Sequence, residues 1–391
     1  MSERLNIKKV LKDNTMLFVL VAVMLLFEVL IRYNDHGSLF SPANITNLIR
    51  QNSYVVILAT GMLLCILTGG NIDLSVGSVV ALIGALAGVL ICKAGVNIAL
   101  SIVLCILAGI LIGAFHGMFI AYLHIPPFIT TLAGMLLWRG VATIILNGQP
   151  IAPFPAGYNK LFESYLFTDP TFSVPTMIVA AICCVVFAIV EIVSRVRKIK
   201  KGYQVSSLIT FVAKIIVLSA VILLVGQFLA RDRGIPVILI LLAVIVAAYG
   251  YFTKNTVPGR YLYAIGGNVK AAKLSGVNTD NVMFFAYTNM GFISAVAALV
   301  CIARFNSAQP TAGQSYEMDA IASCFIGGAS AYGGTGTVTG AVIGAIFMGV
   351  LNNGMSILGI DMNWQRAVKG LVLLAAVLFD VMSKKRGKSA N

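Results

Sequence analysis

The sequence is poor in charge, poorest in acid, and nearly without histidine and tryptophan. Of its 391 residues 11% are charged, with only 14 Asp and Glu, three His and two Trp. A soluble globular domain carries about 25% charged residues, so a soluble enzyme and a disordered tail protein are both excluded. Seven cysteines are present (Cys65, Cys92, Cys105, Cys183, Cys184, Cys301 and Cys324), none in a CxxC pair and all inside apolar stretches. That leaves neither a zinc site nor a disulfide framework, and the thiols read as small packing residues.

Catalytic motifs are missing as well. There is no HExxH and no GxSxG. Gly387-Lys388-Ser389 resembles the end of a phosphate-binding loop, but Met382 stands where the first glycine belongs. Gly334-Thr335-Gly336 lacks the third glycine of a dinucleotide fingerprint. The chain therefore reads as a non-enzyme with no catalytic residue, metal site or cofactor of its own. Any ATP and Mg it depends on must be handled by another chain.

What is present is apolar sequence: 59% of residues are hydrophobic, mean hydropathy is +0.94, and the net charge is +14. The basic residues fall between apolar runs, which is the pattern of a membrane protein and not of a nucleic-acid partner. The fold class is all-α and polytopic, with roughly 10–12 membrane segments that include short or re-entrant helices. The candidate segments are Met16–Ile31, Ser53–Thr68, Val76–Cys92, Val96–Leu123, Phe128–Leu146 and Val174–Val193. They continue with Leu208–Leu229, Ile235–Phe252, Val282–Ala303, Ala320–Tyr332, Thr337–Leu358 and Gln365–Met382. The first follows a basic, polar start (Met1 to Asn14) with no small-residue cleavage site after it, and reads as an uncleaved span.

Charge orients the segments. Basic clusters at Arg4 to Lys12, Arg195 to Lys201, Lys254 to Lys273 and Lys384 to Lys388 are separated by six, two and four candidate spans. Even numbers keep all four on one side, so both termini are expected to be cytoplasmic. Asn34–Asn52, Gly148–Ser173, Arg231–Gly234 and Phe305–Asp319 then face outward. The whole chain, 1–391, reads as one transmembrane domain with a middle insertion, 148–234.

Gly70 to Ala85 pairs without gaps with Gly313 to Gly328. Gly70 meets Gly313, Asn71 meets Gln314, Ile83-Gly84 meets Ile326-Gly327, and acids lie near each helix start (Asp73; Glu317 and Asp319). One break lies at an inner turn and the other at an outer one, which raises the expectation of an inverted repeat, 53–146 and 282–382. Asn71, Asp73, Ser75, Gln314, Glu317 and Asp319 are the candidate translocation-path or gate residues. For Asp73 and Ser75, capping the next helix is an equally good reading.

The glycine series Gly109/Gly113/Gly117 and Gly336/Gly340/Gly344 read as close helix packing. Glu28, Arg139 and Glu191 lie near span ends, where snorkelling is the default, and no span carries the buried carboxylate or histidine chain of a proton relay. The stretch Ala331 to Gly336 reads as a glycine-dependent reversal. The inner loop Thr253–Asn281 carries a Pro-Gly turn, a basic aromatic stretch, Gly-Gly-Asn and a short helix, Val269 to Leu274, closed by Gly276. Spacing alone leaves two readings open for it, docking into a partner's groove or lying on anionic headgroups.

These motifs resemble the permease subunits of bacterial ABC importers for monosaccharides, the ribose, galactose and xylose group. The resemblance is carried by Gly70 to Ser78, Pro127 to Gly134 with Arg139-Gly140, Gly259-Arg260 through Asn268, Ala271-Ala272, Leu274 to Gly276, and Asp319 to Ala322 with Ile326 to Gly328. The long middle section, Gly148–Gly234, is most similar to xylose-type and multiple-sugar permeases. The resemblance implies an opposed-repeat fold, a bacterial inner-membrane location, a permease homodimer, a monosaccharide cargo, an extracytoplasmic sugar-binding protein and a separate ATP-binding subunit. It makes Arg260, Gly266, Gly267, Asn268, Ala271, Ala272, Ser275 and Gly276 the element that touches that ATPase. The readings set against it are an ion-coupled secondary transporter and an ABC permease for a different small polar solute.

Overall fold

The computed structural model describes residues 15–388 apart from Pro170, Gln204 and Ser206, with side chains through Met382. The basic cluster at Arg4 to Lys12 lies outside the described residues, as do Ser389 and the side chains of Lys384 to Lys388. In chain order the helices are α1 (Thr15–Tyr33), α2 (Pro42–Gln51), α3 (Ser53–Leu67), α4 (Val76–Ala87), α5 (Ile98–Gly117), α6 (Pro127–Leu146), α7 (Ala156–Glu163), α8 (Val174–Lys200) and α9 (Leu208–Arg231). They continue as α10 (Val237–Asn255), α11 (Val257–Gly267), α12 (Val269–Leu274), α13 (Thr279–Phe305), α14 (Tyr316–Ile326), α15 (Val338–Ile357) and α16 (Met362–Lys388). Short π-helical turns, Gly88–Lys93 and Met118–Tyr122, extend α4 and α5. Ten stretches among the described residues are long and apolar enough to cross a membrane. The protein is a multi-pass, all-α membrane protein.

The chain divides into two compact units. One comprises Met1–Ile49 and Tyr165–Val237. Its main feature is the hairpin α8–α9, joined at the base by a two-residue antiparallel pair, Tyr165-Leu166 with Ile235-Pro236. Ser173 and Ser207 cap its helices by accepting from the N–H of Thr176 and Thr210, both at 3.3 Å. Gly226 lets α9 approach Ala180 of α8. One snorkelling expectation fails in this unit. Glu28 is buried and accepts from Ser38 Oγ (2.8 Å) and Leu39 N (2.8 Å) while pairing with Arg32, so it ties down the turn after α1. Glu191 pairs with Lys214 across the hairpin at 2.7 Å.

The second unit comprises Arg50–Ser164 and Ile238–Asn391. Its axis is α13, which is buried along most of its length. Gly109, Gly113 and Gly117 of α5 lie against Gly291, Tyr287 to Thr288 and Phe284 of α13, leaving no room for side chains. This is the close packing that replaces hydrophobic drive in lipid. Helix α14 runs parallel to α3: Tyr54 stacks on Tyr316 at 3.8 Å, Cys324 Sγ reaches Ala59 O at 3.3 Å, and Gly334 N donates to Leu67 O at 3.1 Å. Helix α15 runs the other way, with Asn52 Nδ2 donating to Ala345 O at 2.6 Å.

The segment expected to cross at Ala320–Tyr332 is shorter and earlier than that. Helix α14 has 11 residues, about 16 Å at 1.5 Å per residue, against a hydrocarbon core of about 30 Å. The irregular stretch 306–315 before it supplies the remaining depth. Helices also occupy stretches read as plain loop. The outward stretches contain α2 and α7, and Pro258-Gly259 is the first turn of α11, with Thr256 Oγ1 accepting from Gly259 N at 3.1 Å.

Candidate functional site: two broken crossings and a pair of short helices

Two interruptions of apolar sequence meet inside the second unit. After α3 ends at Leu67, the chain turns at Gly69 and Gly70 and runs without regular structure to Ser75, where α4 starts. After α13 ends at Phe305, residues 306–315 lead irregularly into α14. The two helix starts touch: a Cβ on Gly77 would overlap the Gly313 carbonyl, and one on Gly313 would overlap Gly77. Gly313 also has φ +72°, so a side chain there would be strained as well as obstructed. Tyr54, level with this meeting point, is about 20 Å along α3 from Leu67, a distance that falls within a hydrocarbon core of about 30 Å. Irregular backbone survives at that depth only when protein or water covers it.

Around the contact lie two polar groups. In the first, Asp73 is buried, and its Oδ1 accepts from Ser75 N (2.8 Å) and Ser75 Oγ (2.6 Å). Ser75 Oγ is 3.3 Å from His116 Nδ1, and Trp138 Nε1 donates to His116 Nε2 at 2.9 Å. Capping of α4 is therefore not what Ser75 does, because its hydroxyl makes no bond to the first-turn N–H groups. Nor is the site free of a buried carboxylate–histidine chain, contrary to the sequence reading. Asp73 and His116 are 43 positions apart, and only the packing of α5 beside the first break joins them.

In the second group, Asp319 is buried, accepts from Tyr54 Oη at 2.7 Å and pairs with Lys369 Nζ at 2.9 Å. Arg139 does not snorkel. It donates to the Pro310 carbonyl at 2.8 Å and also to that of Ala312, pinning the irregular stretch to α6. Gln314, Glu317, Arg139 and Arg366 line a cavity of about 390 Å³. Arg366 reaches Gln314 Oε1 at 3.4 Å. The expected residues Gln314, Glu317 and Asp319 thus come together. Asn71 stands apart, its amide turned to Thr68 O at 3.3 Å. The sequence reading missed Tyr54, His116, Trp138, Arg366 and Lys369. Lys369, Arg366 and His116 had a signal, being ionisable residues within apolar runs, while Tyr54 and Trp138 had none.

At the other end of α3 three glycine turns converge. Gly333 sits against Gly69, and Gly266 against Leu67 O and Gly334 N. Helix α11 ends there, and Asn268 caps α12 by accepting from Ala271 N at 3.0 Å. Ala272, Ile265 and Val277 form a small core beneath this pair. Arg260, Gly267, Asn268, Ala271, Ser275 and Gly276 are exposed, whereas Ala272 is buried and Gly266 is packed in. The eight residues expected to act alike therefore divide into six exposed ones and two that are packed in. Leu274 stands 90% exposed at the end of α12, an apolar knob that no described residue covers.

Residues 44–377 match the family model described as branched-chain amino acid transport system / permease component. The chain belongs to this permease family. It is 37% identical to the xylose transport system permease protein XylH of Escherichia coli K12, over 95% of this chain and 93% of that one. It is also 37% identical to XylH of Haemophilus influenzae, over 95% and 96% of the two chains. Identity to the ribose import permease protein RbsC of Escherichia coli K12 is 32%, over 92% of each. No solved structure matches the chain. These relatives are transport components rather than enzymes, and a permease component works as one part of a larger transport system.

Proposed function

We propose that this chain is the membrane permease of an ATP-driven importer for a monosaccharide of the xylose class. The observation that carries the cargo is the end-to-end match to xylose permeases, with ribose permeases next to them. The path runs past the contact of Gly77 with Gly313, where Asp73, Gln314, Glu317 and Asp319 offer hydrogen-bonding groups to a polyhydroxylated solute. An extracytoplasmic sugar-binding protein delivers the sugar to the cavity at Gln314. A separate ATP-binding subunit seats on Gly267, Asn268, Ala271, Ser275 and Leu274, with Gly266 and Ala272 holding that surface in place. Two copies of the chain form the transporter, both termini are cytoplasmic, and ATP and Mg stay with the partner. The contact between the two broken crossings supports the reading of 53–146 and 282–382 as opposed repeats.

A second reading draws support from one specific feature. A buried Asp73–Ser75–His116 chain is the kind of group that ion-coupled carriers use. Vesicles reconstituted with this chain separate the two. Uptake of xylose that requires the ATP-binding subunit, the sugar-binding protein and ATP supports the importer. Uptake by the chain alone, driven by a proton or sodium gradient, overturns it.

A further inference from the structure

The hairpin α8–α9 plays no part in the path described above, and its inner end is built in an unusual way. On α8, Ile189, Val190 and Val193 form an exposed apolar strip. Ser194 follows on the same face, then Arg197, Lys198 and Lys201, at spacings of four residues that keep one helix face. From Ile189 to Lys201 this strip is about 18 Å long. The helix then stops at Gly202 (φ +72°), with Gly202 N donating to Ile199 O at 3.0 Å and Tyr203 N to Lys198 O at 3.0 Å. That closure turns Tyr203 back over the last turn. A cavity of about 470 Å³ lies between the strip and Tyr203.

The opposite face of α8 is already used. Glu191 pairs with Lys214, Arg195 lies 4.6 Å over the Phe211 ring, and Cys184 Sγ reaches Ser219 O, all on α9. Among the described residues no ion pair reaches Arg197, Lys198 or Lys201. Among the described residues little covers the hairpin helices: 11% of the apolar stretch of α8 is buried and none of that of α9. A helix so apolar and so uncovered has lipid as its neighbour.

We propose that this cavity is a binding site for one anionic phospholipid of the inner leaflet. An acyl chain lies along Ile189, Val190 and Val193, and the headgroup phosphate is held by Arg197, Lys198 and Lys201 under the Tyr203 ring. Charge complementarity selects the occupant, since three cations with no ion pair among the described residues, at the end of an apolar strip, fit a phosphate that carries its own hydrocarbon. A basic cleft on the cytoplasmic side of a helix pair is suited to such headgroups. The site steadies the inner end of a hairpin that has few protein contacts of its own.

The test is native mass spectrometry of the full chain in nanodiscs of phosphatidylcholine with and without one-fifth phosphatidylglycerol. The wild type is expected to retain one phosphatidylglycerol per chain and no phosphatidylcholine. The triple variant Arg197→Gln, Lys198→Gln, Lys201→Gln is expected to bind it about 100-fold more weakly, the equivalent of three contacts at about 1 kcal/mol each. Val193→Trp, which fills the strip and keeps every charge, is expected to lose the lipid too and covers the case in which the triple variant fails to insert. The control Lys254→Gln, Lys270→Gln, Lys273→Gln is expected to retain it. Equal retention by the triple variant, equal retention of phosphatidylcholine, or displacement by millimolar inorganic phosphate would each overturn the proposal. So would a dimer whose formation depends on the same three residues, because the cavity would then be an interface between copies.

Discussion

The hairpin α8–α9 and the helices α4 and α13 are all long and apolar, yet 72% of the α4 and α13 windows is buried and almost none of the hairpin's. The sequences differ in what interrupts them. Helices α4 and α13, with their neighbours α3 and α14, carry Gly77, Asn289, Gly291, Asp319 and Ser323. Through most of its bilayer length the hairpin carries Val, Ile, Leu and Ala, with only small or single polar exceptions. In lipid, tail-like side chains gain little by packing on one another, whereas small and polar residues gain close contact and hydrogen bonds. The buried stretches of α4 and α13 are accordingly less apolar, at mean hydropathy 2.2 and 1.8, than the exposed helices of the hairpin, both at 2.8.

That contrast can be broken, and the largest effect is expected at Asp319. Lys369→Met strands a buried carboxylate, at about 3–5 kcal/mol for a broken buried pair. A large drop in thermal midpoint and loss of uptake are expected. The double variant Asp319→Leu, Lys369→Met should recover much of the stability and none of the uptake. Next comes Gly113→Leu, which drives a side chain into the α13 backbone and should cost about 1–3 kcal/mol in unfolding measurements. Gly140→Leu, with no neighbouring atom within 4 Å, should cost nothing detectable.

Smaller effects sharpen the surface of α11 and α12. Asn268→Ala removes the cap of α12 and should cost about 1 kcal/mol, read as faster hydrogen exchange at Ala271. Gly267→Trp should leave the thermal midpoint unchanged while lowering ATP-driven uptake, whereas Gly266→Trp should damage folding itself, because Gly266 meets Leu67 and Gly334. On the hairpin, Val185→Leu should stay within about 0.5 kcal/mol of wild type. A cost like that of Gly113→Leu would mean the hairpin is packed against protein after all.

Much of this was legible in the sequence because each signal was local. Apolar runs marked the spans, and glycine with asparagine marked both ends of α12. A polar break stood out at Gly69 to Ser78, a glycine reversal at Ala331 to Gly336, and acids at Glu317 and Asp319 near the start of α14. The pairings were not legible, since Asp73 with His116, Tyr54 with Asp319 and Gly77 with Gly313 are contacts between helices far apart in the chain. Snorkelling was the wrong default for Glu28 and Arg139 for the same reason, and Glu191 pairs with a lysine of the next helix. Each has a partner that local sequence does not show, whether a turn, a pair of carbonyls or a lysine on the next helix.

The central claim is that the contact between the two broken crossings lies on the transport path, and labelling of Gln314→Cys tests it most directly. In a background with the seven native cysteines replaced, a membrane-impermeant thiol reagent is applied from outside to the assembled transporter, with and without trapped ATP. The account predicts ready labelling at Gln314→Cys that changes at least severalfold between the two states, while Val190→Cys on the hairpin stays constant. Labelling at Gln314→Cys that is the same in both states would contradict it.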